Sequence, residues 1–240
     1  MYQLLALLTG LTVAVMVSLN GHLSQQYGTY LAAVIIHIVG SLAALLMCAV
    51  KKEKRLIRKR FPVWFYLGGA IGAFTTLFNN FAFGHISMTS IVALGLLGQT
   101  VTSLAIDGLG LFGMEKRPFQ RSTLIGVAFS LAGMIFMLDR SVTQAVYAVF
   151  FSLGAGITVV LSRSVNARLA EEVGPLRGSL INHLVGLPVT VIIAMLAFMA
   201  APSNWNVAFS PRLWIYLGGV LGVVTVLLCN VTVPKIAAFS

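Results

Sequence analysis

The chain has 240 residues, of which 58% are hydrophobic and 9% charged, and its formal net charge is +10. Soluble domains are about 45–50% apolar and about 25% charged, so this composition excludes an ordinary water-soluble domain. Since a helix needs about 20 apolar residues to cross a bilayer, the length allows about eight spans with short connections. The apolar runs are continuous and do not alternate, which predicts membrane helices and not a barrel.

Eight apolar segments follow one another along the chain. The first lacks a basic leader and a small-residue cleavage site, so we expect it to remain in the membrane as a helix. The connections after the first and sixth spans are expected to be loops, at residues 20–29 and 163–177. The predicted spans are residues 2–19, 29–50, 62–83, 86–112, 121–138, 142–162, 176–200 and 212–233.

Basic residues concentrate in one connection, where seven of the 16 Lys and Arg residues lie between Lys51 and Arg60. Because basic loops stay in the cytoplasm, this loop orients the chain with its N-terminus inside the cell. Fourteen basic residues then lie inside, and two, Arg140 and Arg212, lie outside. We expect residues 51–60 to contact anionic lipid and expect no binding of nucleic acid.

The strongest signal in the chain is an internal repeat. Chance similarity between apolar helices would match Leu and Val, whereas here polar residues and glycines match at a fixed spacing. The matched pairs are Asn20 and Asn166, Gly28 and Gly174, His37 and His183, and Gly40 and Gly186 at a shift of 146 residues, and Gly68 and Gly218, Gly69 and Gly219, and Asn80 and Asn230 at a shift of 150.

The repeated unit has five helices, an odd number, so the second copy enters the membrane upside down. We predict an all-α polytopic membrane protein of inverted five-helix repeats, with residues 1–140 forming the first repeat and 141–240 the second. The second repeat lacks counterparts of its last two helices, so eight helices are expected of a full set of ten. Inverted repeats are typical of transporters, whose halves move about a central site.

Several motifs of the first repeat, together with the repeat itself, resemble a known family. They are Asn20-Gly21-x-Leu23-Ser24, His37 with Gly40, Asn79-Asn80, Ala93-Leu94-x-Leu96-Leu97-Gly98-Gln99, and Ser103-x-x-Ile106-Asp107. This pattern resembles the YdcZ-like inner-membrane exporters of the drug/metabolite transporter (DMT) superfamily. The resemblance implies a multi-pass protein of the bacterial inner membrane, with ten helices when two units are fused.

Polar residues inside the predicted spans are few, and each is a candidate for a role in gating or substrate contact. His37 and His183 are expected at opposite depths, as a gate pair or as partners in hydrogen bonds between helices. Asp107 is the one acidic residue in a predicted span, and an anchor to the basic loop is its alternative role. The full candidate set is Asn20, His37, Asn80, Gln99, Asp107, Asn166, His183 and Asn230, with capping or interhelical bonding as the alternative for Asn20 and Asn166, and packing for Gln99.

The chain contains no phosphate-binding loop, no nucleophile motif and no paired Cys/His metal spacing, so we expect no cofactor, no metal and no enzymatic activity. We expect a secondary-active transporter, an exporter of a small molecule by alternating access. The alternative is a membrane partner that does not itself transport, either a truncated paralogue or a subunit of a hetero-oligomeric complex that pairs with another five-helix unit. A homodimer is the other assembly considered.

Overall fold

A computed structural model gives the fold and describes residues 2–51, 61–113, 116, 121–200, 207–233 and 235. Residues 52–60, which hold most of the basic cluster expected to contact anionic lipid, lie outside this set. The described residues form α-helices and short 3₁₀ turns and no strand. The helices are α1 (Tyr2–Tyr27), α2 (Thr29–Val50), α3 (Leu67–Ala82), α4 (Met88–Leu109), α5 (Arg121–Met137), α6 (Ser141–Gln144), α7 (Val146–Val173), α8 (Pro175–Ala200) and α9 (Leu217–Thr232).

Helix length and composition confirm the class of the fold. In the described part of the chain, six helices are long and apolar enough to cross a membrane; α9 counts among these together with the 3₁₀ turn Leu213–Tyr216 that precedes it. The shorter α3 follows an equivalent 3₁₀ turn, Val63–Tyr66, at the predicted shift of 150 residues. The protein is therefore an all-α polytopic membrane protein.

The predictions of loops at residues 20–29 and 163–177 are wrong. The first span continues as helix to Tyr27 and the sixth to Val173, so a single glycine joins each to the next helix. Some of the polar residues in these two stretches, Asn20, Ser24, Ser164 and Asn166, are buried between helices, whereas others, such as Gln25 and Glu172, are exposed. The linking residues, Gly28 and Gly174, have φ values of 79° and 90°, a backbone conformation that side chains other than glycine rarely adopt.

Helix packing follows the internal repeat. α3 packs against α7, and its counterpart α9 packs in the same way against α1. The two second helices of the repeats, α2 and α8, pack against each other. Close contacts are also paired, since a Cβ on Gly68 would overlap the Asn166 side chain and a Cβ on Gly218 would overlap Asn20. The two sets of helices are therefore related by approximate two-fold symmetry.

The connection between the two halves is a short polar turn. The hydroxyl and the backbone N–H of Ser141 both donate hydrogen bonds to the Asp139 carboxylate, the second at 2.8 Å. These bonds, with further side-chain bonds from Ser87 and Ser90, lower the pKa of Asp139 to about 2. The Ser87 backbone N–H in turn donates to the Ser141 hydroxyl, so the turn is held against the start of α4.

One pair of helix faces breaks the symmetry. On α7, Gly156 lies directly against the backbone of α4. A Cβ at Gly156 would overlap the Gly95 carbonyl oxygen and lie 2.9 Å from the backbone nitrogen of Gln99. The counterpart of Gly156 on α1 is Gly10, whose Cβ position has none of the described atoms within 4 Å. The face of α1 around Gly10 is therefore open where the equivalent face of α7 is covered.

We expect Gly156→Ala to destabilise the protein and Gly10→Ala to leave its stability nearly unchanged. Overpacking costs about 1–3 kcal/mol, which for a chain of this length lowers Tm by about 3–10 °C. Thermal unfolding of both variants in detergent measures the difference. Equal Tm values for the two variants would contradict the described packing of α4 on α7.

Candidate functional site

A cavity of about 870 Å³ lies between the two halves of the molecule. Most of the exposed area of its wall is apolar, and Ser, Thr, Asn, Gln, His and Arg side chains lie between the apolar residues. Apolar walls with placed polar groups are usual for sites that bind small molecules. Six of the eight residues singled out from the sequence line it: Asn20, His37, Gln99, Asn166, His183 and Asn230. Asn80 and Asp107 do not.

His37 and His183 meet at the point where α2 crosses α8. Their ring centroids are 6.0 Å apart, and both side chains are buried. The expectation that they lie at opposite depths is therefore wrong. Each lies about 12 Å from its own end of a layer about 30 Å thick, so two residues approaching from opposite sides meet near the middle.

The two histidines are held in the same way. His37 Nδ1 lies 2.8 Å from the Ala33 carbonyl oxygen, and His183 Nδ1 lies 2.9 Å from that of Ser179. Because a carbonyl oxygen can only accept, each Nδ1 carries the proton, and a neutral ring presents an unprotonated Nε2. Each ring also fills the space left by a glycine of the opposite helix, His37 at Gly186 and His183 at Gly40.

Asn80 and Asn230 tie helices together within each repeat. Asn80 Nδ2 donates to the Thr29 carbonyl oxygen at 3.3 Å, and Asn230 Nδ2 donates to the Pro175 carbonyl oxygen at 2.9 Å. Thr29 and Pro175 are the first residues of α2 and α8, whose early carbonyl groups lie beside the glycine links. The contact is the same in both repeats, as the sequence equivalence requires.

Asn20 and Asn166 lie inside helices, so the capping role considered for them is wrong. Asn166 Nδ2 donates to the Asn182 side-chain oxygen at 2.7 Å and to the Ser162 hydroxyl at 3.2 Å. The Ser162 hydroxyl itself donates to the Gly68 carbonyl oxygen at 2.7 Å. These bonds form a buried polar cluster between α3, α7 and α8, which we call the Asn182 cluster, consisting of Ser162, Asn166 and Asn182.

Gln99 faces an arginine across the cavity wall. The Arg163 guanidinium donates to the Gln99 side-chain oxygen at 3.1 Å, joining α7 to α4. Arg163 is the one Lys or Arg among the described residues that line the cavity, and no Asp or Glu is found among them. The cavity wall therefore carries one fixed positive charge, and the side chain that bears it is partly exposed to the cavity.

Asp107 is buried near the end of α4, two helical turns beyond Gln99. Since eight residues of helix span about 12 Å, the structure does not bring Asp107 and Gln99 to the same position. The position of Asp107 therefore does not favour direct contact with a substrate in the cavity.

Arg163 and Asn182 are two of the polar cavity residues that the sequence analysis missed. Arg163 was assigned to a loop because the sixth predicted span ended one residue before it. The repeat contains the signal that could have placed it, since a shift of 146 residues aligns Arg163 with Val17 and Asn182 with Ile36, both apolar residues of spans. A polar residue opposite an apolar counterpart marks a departure from symmetry inside the membrane.

Comparison with known proteins gives one match. The family model described as "Putative inner membrane exporter, YdcZ" matches residues 1–136 and residues 147–240. No curated protein and no solved structure matches the chain. The two matched segments coincide closely with the two halves related by the repeat.

We expect Asn80→Ala and Asn230→Ala to destabilise the protein by similar amounts, because each removes the same interhelical bond. Such bonds are worth about 0.6–1.7 kcal/mol in membrane proteins, which corresponds to a decrease in Tm of about 2–5 °C. Thermal unfolding of the single and double variants should show additive effects.

The control for this pair is Thr12→Ala, which removes a hydroxyl that bonds only within its own helix, to the Leu8 carbonyl oxygen at 2.7 Å. If Thr12→Ala lowers Tm as much as the asparagine variants do, the interhelical bonds are not the source of the stability.

Proposed function

This chain belongs to the YdcZ family of inner-membrane exporters, and we propose that it moves a small molecule by alternating access between its two repeats. The observation that carries the proposal is the cavity of about 870 Å³ lined by helices of both halves. Transporters built from inverted repeats bind substrate between the repeats, near the middle of the membrane. A cavity of this size is within the range of pockets that hold small molecules.

The crossing of α2 and α8 is the pivot in this proposal. It lies on the approximate two-fold axis, and its histidine rings fit into glycine positions on the opposite helix. His37 and His183 form this pivot. Asn20 and Asn80 belong to the closure on the outer side, Asn166, Asn230 and Asp107 belong to the closure on the inner side, and Gln99 lies at the shared site.

Membership of the family places the protein in the inner membrane as a multi-pass protein. We propose that its N-terminus lies in the cytoplasm. Because Arg163 lines the cavity, it is left out of the count of basic residues at the cytoplasmic surface, and thirteen of the fourteen remain. Thirteen inside against Arg140 and Arg212 outside still favours this orientation.

Flux into proteoliposomes tests the transport function. The wild-type protein, given a pH gradient or a solute gradient, should carry at least one compound of a panel of radiolabelled organic acids, amino acids and organic cations. Thr76→Trp should lower that flux at least about tenfold, because Thr76 lines the cavity and tryptophan would occupy part of its volume.

The matched control is Phe74→Trp on the same helix, since Phe74 is 42% exposed on the outer surface and does not line the cavity. It should retain flux. Absence of flux for the whole panel with folded wild-type protein, or equal flux in both variants, would contradict transport through this cavity.

The open face of α1 favours a second function, that of a partner subunit. The equivalent face of α7 is covered by α4, which presents Gly95 and Gly98 to it. Gly10 also lines the cavity, and we propose that a helix of a second copy covers this face of α1 in the membrane and closes the cavity on that side. Small residues that allow close approach are the usual contacts between membrane helices.

Disulfide cross-linking tests this arrangement in a background with Cys48→Ser and Cys229→Ser. Leu11→Cys, on the open face and 64% exposed, should form dimers in native membranes. Phe136→Cys on α5, 90% exposed, is the control for random collision. Equal cross-linking at the two positions would contradict a specific contact at α1.

A further inference from the structure

The cavity is not symmetric in its chemistry, although its frame is. On the second repeat its wall contains the Asn182 cluster and Arg163. The counterparts of Ser162, Arg163 and Asn182 on the first repeat are Met16, Val17 and Ile36, which also line the cavity. Around these three positions one side of the cavity is therefore polar and cationic and the equivalent side is apolar, whereas Asn20, His37 and Thr75 have polar counterparts that also line the cavity.

Arg163 is the centre of the polar side. It lies well inside α7, and a charged residue in a membrane helix costs about 2.5–3.5 kcal/mol on the insertion scale. Its one hydrogen bond among the described residues is to the neutral Gln99 side chain, so no carboxylate in that part of the chain forms an ion pair with it. Intramembrane charges of this kind usually mark a substrate pathway.

Guanidinium groups bind anions in a particular way. The planar group has five N–H donors, and two of them match a carboxylate or phosphate in a bidentate contact. Gln99 accepts one N–H of Arg163 and holds the group across the wall from α4. The other donors are then available to an anion, whose apolar part would lie against Met16, Val17 and Ile36.

We propose that the cavity binds an amphipathic organic anion, with its charged group on Arg163 and its apolar part against the first repeat. The inference rests on the proposed transport function in that it names the substrate class of the same cavity. The required chemistry is an anionic group on an aliphatic chain, which a free organic acid and an anionic lipid share. Arg163 acts as a binding residue and Gln99 as the residue that positions it.

Thermal shift of the full chain in nanodiscs tests binding separately from transport. The probes are hexanoate, hexanamide and hexylammonium, which share a chain and differ in charge. In zwitterionic lipid, hexanoate should raise Tm in a saturable manner, and the other two probes should raise it little. An equal shift for all three probes, or no shift with hexanoate, would overturn the proposal.

Variants at Arg163 identify the group responsible. Arg163→Gln should weaken hexanoate binding at least about tenfold, which corresponds to about 1.4 kcal/mol, and Arg163→Lys should restore part of it because the charge returns. Gln99→Glu should also weaken binding, since it places a competing carboxylate beside Arg163. Arg140→Gln, on an exposed turn outside the cavity, is the control and should bind as the wild type does. Unchanged hexanoate affinity in folded Arg163→Gln would overturn the proposal.

Lipid composition separates the two sources of the anion. If phosphatidylglycerol in the nanodisc raises Tm and competes with hexanoate, and both effects disappear in Arg163→Gln, the anion site is supported and a lipid is assigned to it. If phosphatidylglycerol has no such effect and hexanoate still binds, the site is supported with a free organic anion as its ligand.

The binding and flux experiments fail independently. Hexanoate binding that depends on Arg163, without flux of any anion, would support the anion site and contradict transport. Flux of neutral or cationic compounds that is unchanged in Arg163→Gln would support transport and overturn the anion site.

Discussion

The arrangement of the two halves depends on one contact, at the point where α2 crosses α8. There, two histidine rings pack against two glycines of the opposite helix. His37 occupies the space beside Gly186, and His183 occupies the space beside Gly40. A side chain on either glycine would overlap a buried ring, so the helices can approach this closely only with this pairing. From the crossing outward, α1 and α9 on one side and α3 and α7 on the other repeat the same contacts.

The symmetric frame allows the two halves to carry different chemistry. Contacts that hold helices together, such as those of Asn80 and Asn230 with the first carbonyl groups of α2 and α8, are present in both halves. Some of the residues that face the cavity differ between the repeats, and Arg163 stands where the first repeat has Val17. Because packing requires equivalence and recognition does not, the departures from symmetry are the positions at which we propose that a ligand is bound.

The same comparison applies to the faces of α1 and α7 that border the cavity. α4 covers the Gly156 face of α7, whereas the Gly10 face of α1 is open and surrounded by exposed leucines. In lipid an exposed leucine carries no penalty, so exposure alone does not show a missing partner. The open glycine face is more informative, because glycine in a membrane helix is most useful where another backbone approaches.

The sequence by itself determined the membrane class, the number of apolar segments and the register of the repeat, because these depend on local composition and fixed spacing. It also identified six of the polar residues that line the cavity, since amide and imidazole groups inside spans are rare and are repeated. Only the tertiary structure decided that α1 and α7 continue through their polar residues, that His37 meets His183, and that Arg163 lies at the cavity beside Gln99. A residue at the edge of an apolar run suits water or a buried cluster equally well, and the neighbouring helices alone determine which of the two it meets.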